Sequence, residues 1–110
     1  MDTTIISIDE LNEKIKNEIG TLIYFSTPTC NVCKVLRPKI MEEFKKNFPE
    51  IGRYYIDSTI SQDIPVQFGV FTVPTILVLL DGKEFARESR NCSVGGLIHK
   101  ISRPYKIMMS

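Results

Sequence analysis

The sequence predicts an α/β fold: a central mixed sheet of about five strands flanked by four helices, in the order β-α-β-α-β-α-β-β-α. Three observations carry this expectation. Two continuous apolar, β-rich runs, TLIYFST at 21–27 and PTILVLL at 74–80, suit strands buried on both faces of a sheet. Segments with helical spacing of apolar residues alternate with the early strands, the pattern of crossover connections. The dipeptide Asp81-Gly82 is a hairpin turn signal that closes the sheet with an antiparallel pair.

Each element has its own local reason. Residues 3–8, rich in Thr and Ile, read as a short first strand. Ser7 followed by Glu10 has the form of a capping box. Leu11, Ile15 and Ile19 then mark one helical face, with Gly20 as the stop. After the strand at 21–27, residues 30–48 take a helical period. Leu36, Ile40, Phe44 and Phe48 share a face with Met41 beside them, while Lys34, Lys39, Lys45 and Lys46 fall largely elsewhere. Pro49 ends that helix. RYYID at 53–57 is the third strand. Residues 58–68 form a short, irregular helix, because Pro65 sits inside it. The fourth and fifth strands are 74–80 and KEFAR, 83–87. Ser93 caps a last helix running to about Ser102, with Leu97, Ile98 and Ile101 apolar. Gly95-Gly96 weakens that helix and Pro104 ends it. YKIMMS, 105–110, is left as a tail whose apolar residues can dock onto the body or a partner.

The chain has 110 residues and no internal repeat or linker, so 1–110 is expected to be one domain. It is 43% hydrophobic and 25% charged, a soluble globular composition. Fourteen basic against thirteen acidic residues give a net charge of +1, which excludes a general nucleic-acid or membrane binder. MDTTIISIDE lacks the pattern of a signal peptide, and the longest apolar run, Ile76–Leu80, is too short to span a bilayer. A cytoplasmic monomer is expected. Three cysteines, an odd number, do not make a disulfide scaffold. Taken alone, Cys30 and Cys33 admit three readings: a working redox pair, half of a metal site, or two small core residues.

Their surroundings select among these. Cys30-Asn31-Val32-Cys33 follows the second strand and opens the second helix. Pro38 lies five residues after Cys33, inside that helix. QFGVFTVPT, 67–75, is an aromatic-Gly-aliphatic segment leading to Pro74, and LLDGKEFAR, 79–87, is the closing hairpin. With these motifs the chain resembles the thioredoxins over nearly all of its length. The resemblance implies the thioredoxin fold and a thiol–disulfide oxidoreductase acting on disulfide-bearing proteins. It implies electrons from a thioredoxin reductase or a low-molecular thiol. It implies no metal and no cofactor beyond a redox-active Cys30–Cys33 disulfide.

On that resemblance Cys30 sits at a helix N-terminus, where unpaired N–H groups and the helix dipole favour an anion. Such placement can lower a thiol pKa from about 8.5 into the range of roughly 3.5–7.5. Cys30 is then the nucleophile, and Cys33, one turn later, the resolving thiol. Pro74 corresponds to the cis-proline that sets the Val73 backbone opposite the reactive sulfur, where its N–H and C=O can pair with a substrate strand. Thr29, Asn31, Val32 and Arg90 complete the expected substrate-binding set.

The departures from the family pattern lie at the same place. Thr29 stands for a tryptophan, and Asn31-Val32 for Gly-Pro. Tyr24 stands for a buried aspartate, Arg53 for a buried lysine, and Arg90 for a glycine. A pair less reducing than thioredoxin, with slow release of the mixed disulfide, is expected. Tyr24 reads either as core packing or as a hydrogen-bond donor. Phe71 reads as local packing or as apolar docking surface, and Arg90 as a solvated side chain or a contact for an acidic partner. Cys92 reads as an inert thiol or a regulator of Cys30, and His99 as a residue of the last helix. Two other functions stay open: a glutaredoxin-like enzyme using glutathione, and an adaptor whose cysteines are incidental.

Overall fold

The computed structural model describes residues 3–29 and 31–109, the side chains of Thr3, Asn31, Val32 and Cys33 excepted. The two apolar runs form β2 (Gly20–Ser26) and β4 (Thr75–Leu80), each buried along its whole length. They are neighbours, paired antiparallel with Tyr24 opposite Ile76. The other elements are β1 (Thr3–Thr4), α1 (Ile8–Asn17), α2 (Asn31–Asn47), β3 (Ile51–Asp57), α3 (Asp63–Gln67), β5 (Lys83–Glu88) and α4 (Val94–Met109). The sheet has five strands in the order β1-β3-β2-β4-β5, with β3 parallel to β1 and β2. Asp81 and Gly82 turn from β4 to β5 with φ of 54° and 76°, the left-handed pair that a two-residue hairpin of this twist requires.

Alternation along β2 divides the core in two. Leu22 and Tyr24 join Ile40, Phe44, Val78, Leu97 and Ile101 under α2 and α4. Ile23 and Phe25 join Ile5, Leu11, Ile56, Ile64 and Leu77 on the side of α1 and α3. Helices thus cover both faces. No helix among the described residues is long and apolar enough to cross a membrane.

Several boundaries differ from the sequence expectation, and four of the differences have a clear physical reason. The first strand covers Thr3–Thr4 rather than residues 3–8, because Ser7 accepts the Glu10 N–H and starts α1. Gly20 does not stop α1, which ends at Asn17. It opens β2, where an added Cβ would lie 2.9 Å from Leu80 Cδ2 and 3.1 Å from the Leu79 carbonyl. The third helix starts at Asp63, not at 58, because the Asp57 carboxylate accepts the Thr59 N–H (2.9 Å) and hydroxyl (2.6 Å) and holds a turn. Pro65 then falls in the first turn, where a missing N–H loses no helical bond.

The last helix is the largest correction. It does not end at Pro104: α4 continues to Met109, so 105–109 is helix, not tail. A proline inside a helix costs about 3 kcal/mol. Here the extension is held by Tyr105, whose ring lies 4.9 Å from that of Phe48. The Tyr105 hydroxyl accepts the Glu50 N–H at 3.3 Å, and Met108 packs on the same cluster.

Candidate active site

The helix α2 begins at Asn31, between the positions of the two cysteines, and its backbone includes Cys33. The N–H groups of residues 31–34 have no carbonyl partner within the helix, and their dipoles add to a positive end. Cys30 lies outside the described residues, as do the side chains of Asn31, Val32 and Cys33. The elements around these four positions set the environment in which their expected roles would be carried out.

Before the helix, the Thr27 and Thr29 hydroxyls lie 3.4 Å apart and Thr29 is exposed. The Val73–Pro74 peptide bond is cis, as the sequence implied. The loop that carries it is tied down at both ends. Thr75 donates its hydroxyl to the Thr72 carbonyl at 2.7 Å. Arg87 donates to the carbonyls of Phe68 (2.7 Å) and Gly69 (3.2 Å) while Glu84 holds its other edge at 2.8 Å. The tip of the loop is Phe71, 84% exposed. With Thr27, Thr72 and Val73 it lines a groove of about 350 Å³ in which no described residue is charged. Phe71 therefore presents apolar surface to solvent rather than packing locally.

Under α2 and α4 stands Tyr24, fully buried. Its ring lies 6.4 Å from that of Tyr55, opposite it on β3. The Arg37 guanidinium sits 3.5 Å above the Tyr55 ring centroid, a cation–π contact. The Tyr24 hydroxyl has no hydrogen-bond partner among the described residues. Burial pushes its pKa up to about 12. Arg37 opposes that shift, and Cys92 and Tyr55 add to it. Tyr24 is thus a neutral, proton-holding group at physiological pH and cannot serve as a base there.

Arg37 is the residue that sequence reasoning passed over. The available signal was its spacing: it follows Cys33 by four positions on α2, one turn along the same helix face. Arg53, half-buried across from Leu22, also lies on this side of the sheet, and its buried Nε has no partner among the described residues.

Cys92 lies in the β5–α4 loop, half-buried against the cluster that includes Leu36 and Tyr55. Burial, and to a lesser extent Glu88, pushes its thiol up to about 11. It is a free thiol and protonated at neutral pH. Arg90, exposed, lines a second groove together with Lys39. His99 is exposed on α4. The structure thus brings Thr27, Phe71 and Val73 together in one groove, and Arg90 and Cys92 together in another.

The thioredoxin family model matches residues 2–103. The thioredoxin-like protein YdfQ of Bacillus subtilis is 32% identical over 105 residues, covering 96% of this chain and 93% of its own. A thioredoxin of Chlamydia muridarum is 29% identical, covering 90% and 95%. Among solved structures, a thioredoxin from Trypanosoma brucei brucei superposes with a TM-score of 0.82 at 21% identity, covering 96% of this chain and 92% of that one. A mutant thioredoxin from Halobacterium salinarum gives 0.82 at 20% identity, covering 94% and 89%. At these identities the structures share the fold.

Proposed function

The chain belongs to the thioredoxin family, and from that premise we propose that it reduces or exchanges protein disulfides through Cys30 and Cys33. The observation that carries this function is the position of α2, whose first residue, Asn31, falls between the two cysteines and gives the CxxC a helix mouth. The Cys30 thiolate attacks one sulfur of the substrate disulfide. A mixed disulfide forms and the other substrate sulfur leaves as a thiolate. Cys33 then attacks Cys30, forming the Cys30–Cys33 disulfide and releasing the second substrate thiol. Two electrons have passed to the substrate. A thioredoxin reductase or a low-molecular thiol returns them, and the working place is the cytoplasm.

Val73 pairs its backbone with the extended substrate segment, while Thr29, Asn31, Val32 and Arg90 border it. Cys33 must be deprotonated for the second step. Tyr24 does not take that proton, since its own pKa is pushed to about 12, so the mixed disulfide is released slowly. The changed dipeptide Asn31-Val32 and the cation Arg37 both favour the thiolate. They make the pair less reducing than about −270 mV.

Insulin reduction by the wild-type protein with dithiothreitol tests this. The wild type should accelerate it, Cys30→Ser should not, and Cys33→Ser should stall as a mixed disulfide that identifies the substrates. A Cys30→Ser protein as active as the wild type would overturn the proposal.

A further inference from the structure

We propose that the groove between α2 and the β5–α4 loop binds an acidic, partly apolar segment of the disulfide-bearing partner. This rests on the oxidoreductase function above and names its substrate class. The groove has a volume of about 550 Å³, with Val35, Leu36, Cys92 and Val94 as its apolar surface and Lys39 and Arg90 as its cations. None of the described residues lining it is acidic. Val35 follows Cys33 by two positions and is 77% exposed, so an aliphatic surface begins beside the redox mouth. An exposed side chain of that size gains by being covered.

The charge is local. The whole chain carries only +1, and the groove on the Val73 side carries no charged side chain among its described residues. Of the two grooves, one is therefore blind to charge and one is cationic. The open first turn of α4 adds to the second. A Cβ placed on Gly95 would meet nothing within 4 Å, and the positive end of a 16-residue helix faces that space. Glu88 acts on Cys92 but lines a different groove with Arg87, and Glu42 and Glu43 follow Lys39 on α2 without lining this one. The segment that fits carries Asp or Glu next to an aliphatic or aromatic residue, a few positions from its own redox cysteine.

The test compares disulfide peptides alike except for flanking Asp-Glu, Ser-Ser or Lys-Lys, with dithiothreitol as reductant and the uncatalysed rate subtracted. A neutral small disulfide, bis(2-hydroxyethyl) disulfide, reports redox activity alone. Two exposed cations should favour the acidic over the basic peptide in kcat/KM by about three- to tenfold at low salt, and the ratio should collapse in high salt. Lys39→Glu should lower that ratio, a readout that cancels any loss of folded protein. Equal turnover of all three peptides, or an unchanged ratio in Lys39→Glu, overturns the proposal while the neutral disulfide keeps the oxidoreductase function standing. Saturable turnover of glutathione disulfide with no preference among the peptides overturns it in favour of a small acidic ligand. Turnover of no disulfide at all sinks both.

Discussion

Tyr24 and Tyr54 stand on adjacent strands, face opposite sides of the sheet, and meet burial in opposite ways. Tyr54 looks toward α1, where its hydroxyl donates to the Glu18 carboxylate. Tyr24 looks toward α2 and α4, where its hydroxyl finds no partner among the described residues. Burial raises both pKa values. The Glu18 bond raises that of Tyr54 further, whereas Arg37 works against the shift at Tyr24. A buried unpaired polar group costs about 1–3 kcal/mol. Among the described residues Thr21 and Ser58 also carry a buried hydroxyl oxygen without a partner, but the ionisable cases, Tyr24 and Arg53, both lie on the α2–α4 side. That side carries the helix mouth.

The largest expected effect concerns Cys92, which shares that side. With its thiol pushed up to about 11, its thiolate at pH 8 is scarce. Iodoacetamide should label it on the order of 100-fold more slowly than an exposed cysteine of pKa about 8.5. Mass spectrometry of the folded wild type checks this, and labelling at an ordinary rate would remove Cys92 from the buried set. Next comes Tyr54→Phe. It strips a hydrogen bond to a carboxylate and leaves Glu18 half-buried without its donor, a loss of about 1.5–3 kcal/mol. Urea unfolding should show a lower midpoint at unchanged slope.

What could be read in advance shows why the two sides differ in legibility. Runs of one kind of residue, caps and turns are local, and these were legible: 21–27, 74–80, Ser7, Ser93 and Asp81-Gly82 all do what their neighbours in the chain dictate. The cis-proline was legible as a motif. Gly20, Pro104 and Arg37 were not. Gly20 answers to Leu80 across the sheet. Pro104 is overridden by Tyr105 packing on Phe48. Arg37 acquires its place only because β2–β3 pairing brings Tyr55 beside Tyr24. Each depends on a contact between distant parts of the chain, which local pattern does not carry.

Arg37 gives the third prediction. In the redox pair proposed above, a permanent cation one turn beyond Cys33 would stabilise a thiolate, and so the reduced form, which makes such a couple more oxidising. Arg37→Met should shift the equilibrium with glutathione toward the disulfide by up to about tenfold, roughly 30 mV more negative. Arg37→Lys should keep most of the wild-type value. Equal potentials in the wild type and Arg37→Met would confine Arg37 to packing on Tyr55.

The smallest effect is the sharpest test of the opening contrast. Tyr24→Phe removes a hydroxyl that bonds to nothing among the described residues and leaves no partner stranded there. Its stability should rise by about 1 kcal/mol, the low end of what an unpaired buried hydroxyl costs. Alkaline pH then separates the two forms. The unfolded chain loses the tyrosine proton near pH 10, whereas folded Tyr24 keeps it to about 12. The folded pKa is raised, so between pH 10 and 12 the folded state binds more protons and stability must fall as pH rises. Below pH 10 both states are neutral and the contribution is fully present. Tyr24→Phe should flatten part of that alkaline decline, and Tyr54, raised by burial and by Glu18, should account for a further part. Urea midpoints measured between pH 9 and about 11.5 would decide it. A decline of the same slope in the wild type and Tyr24→Phe would mean that the Tyr24 hydroxyl is reached by water after all and is not a buried, unpaired group.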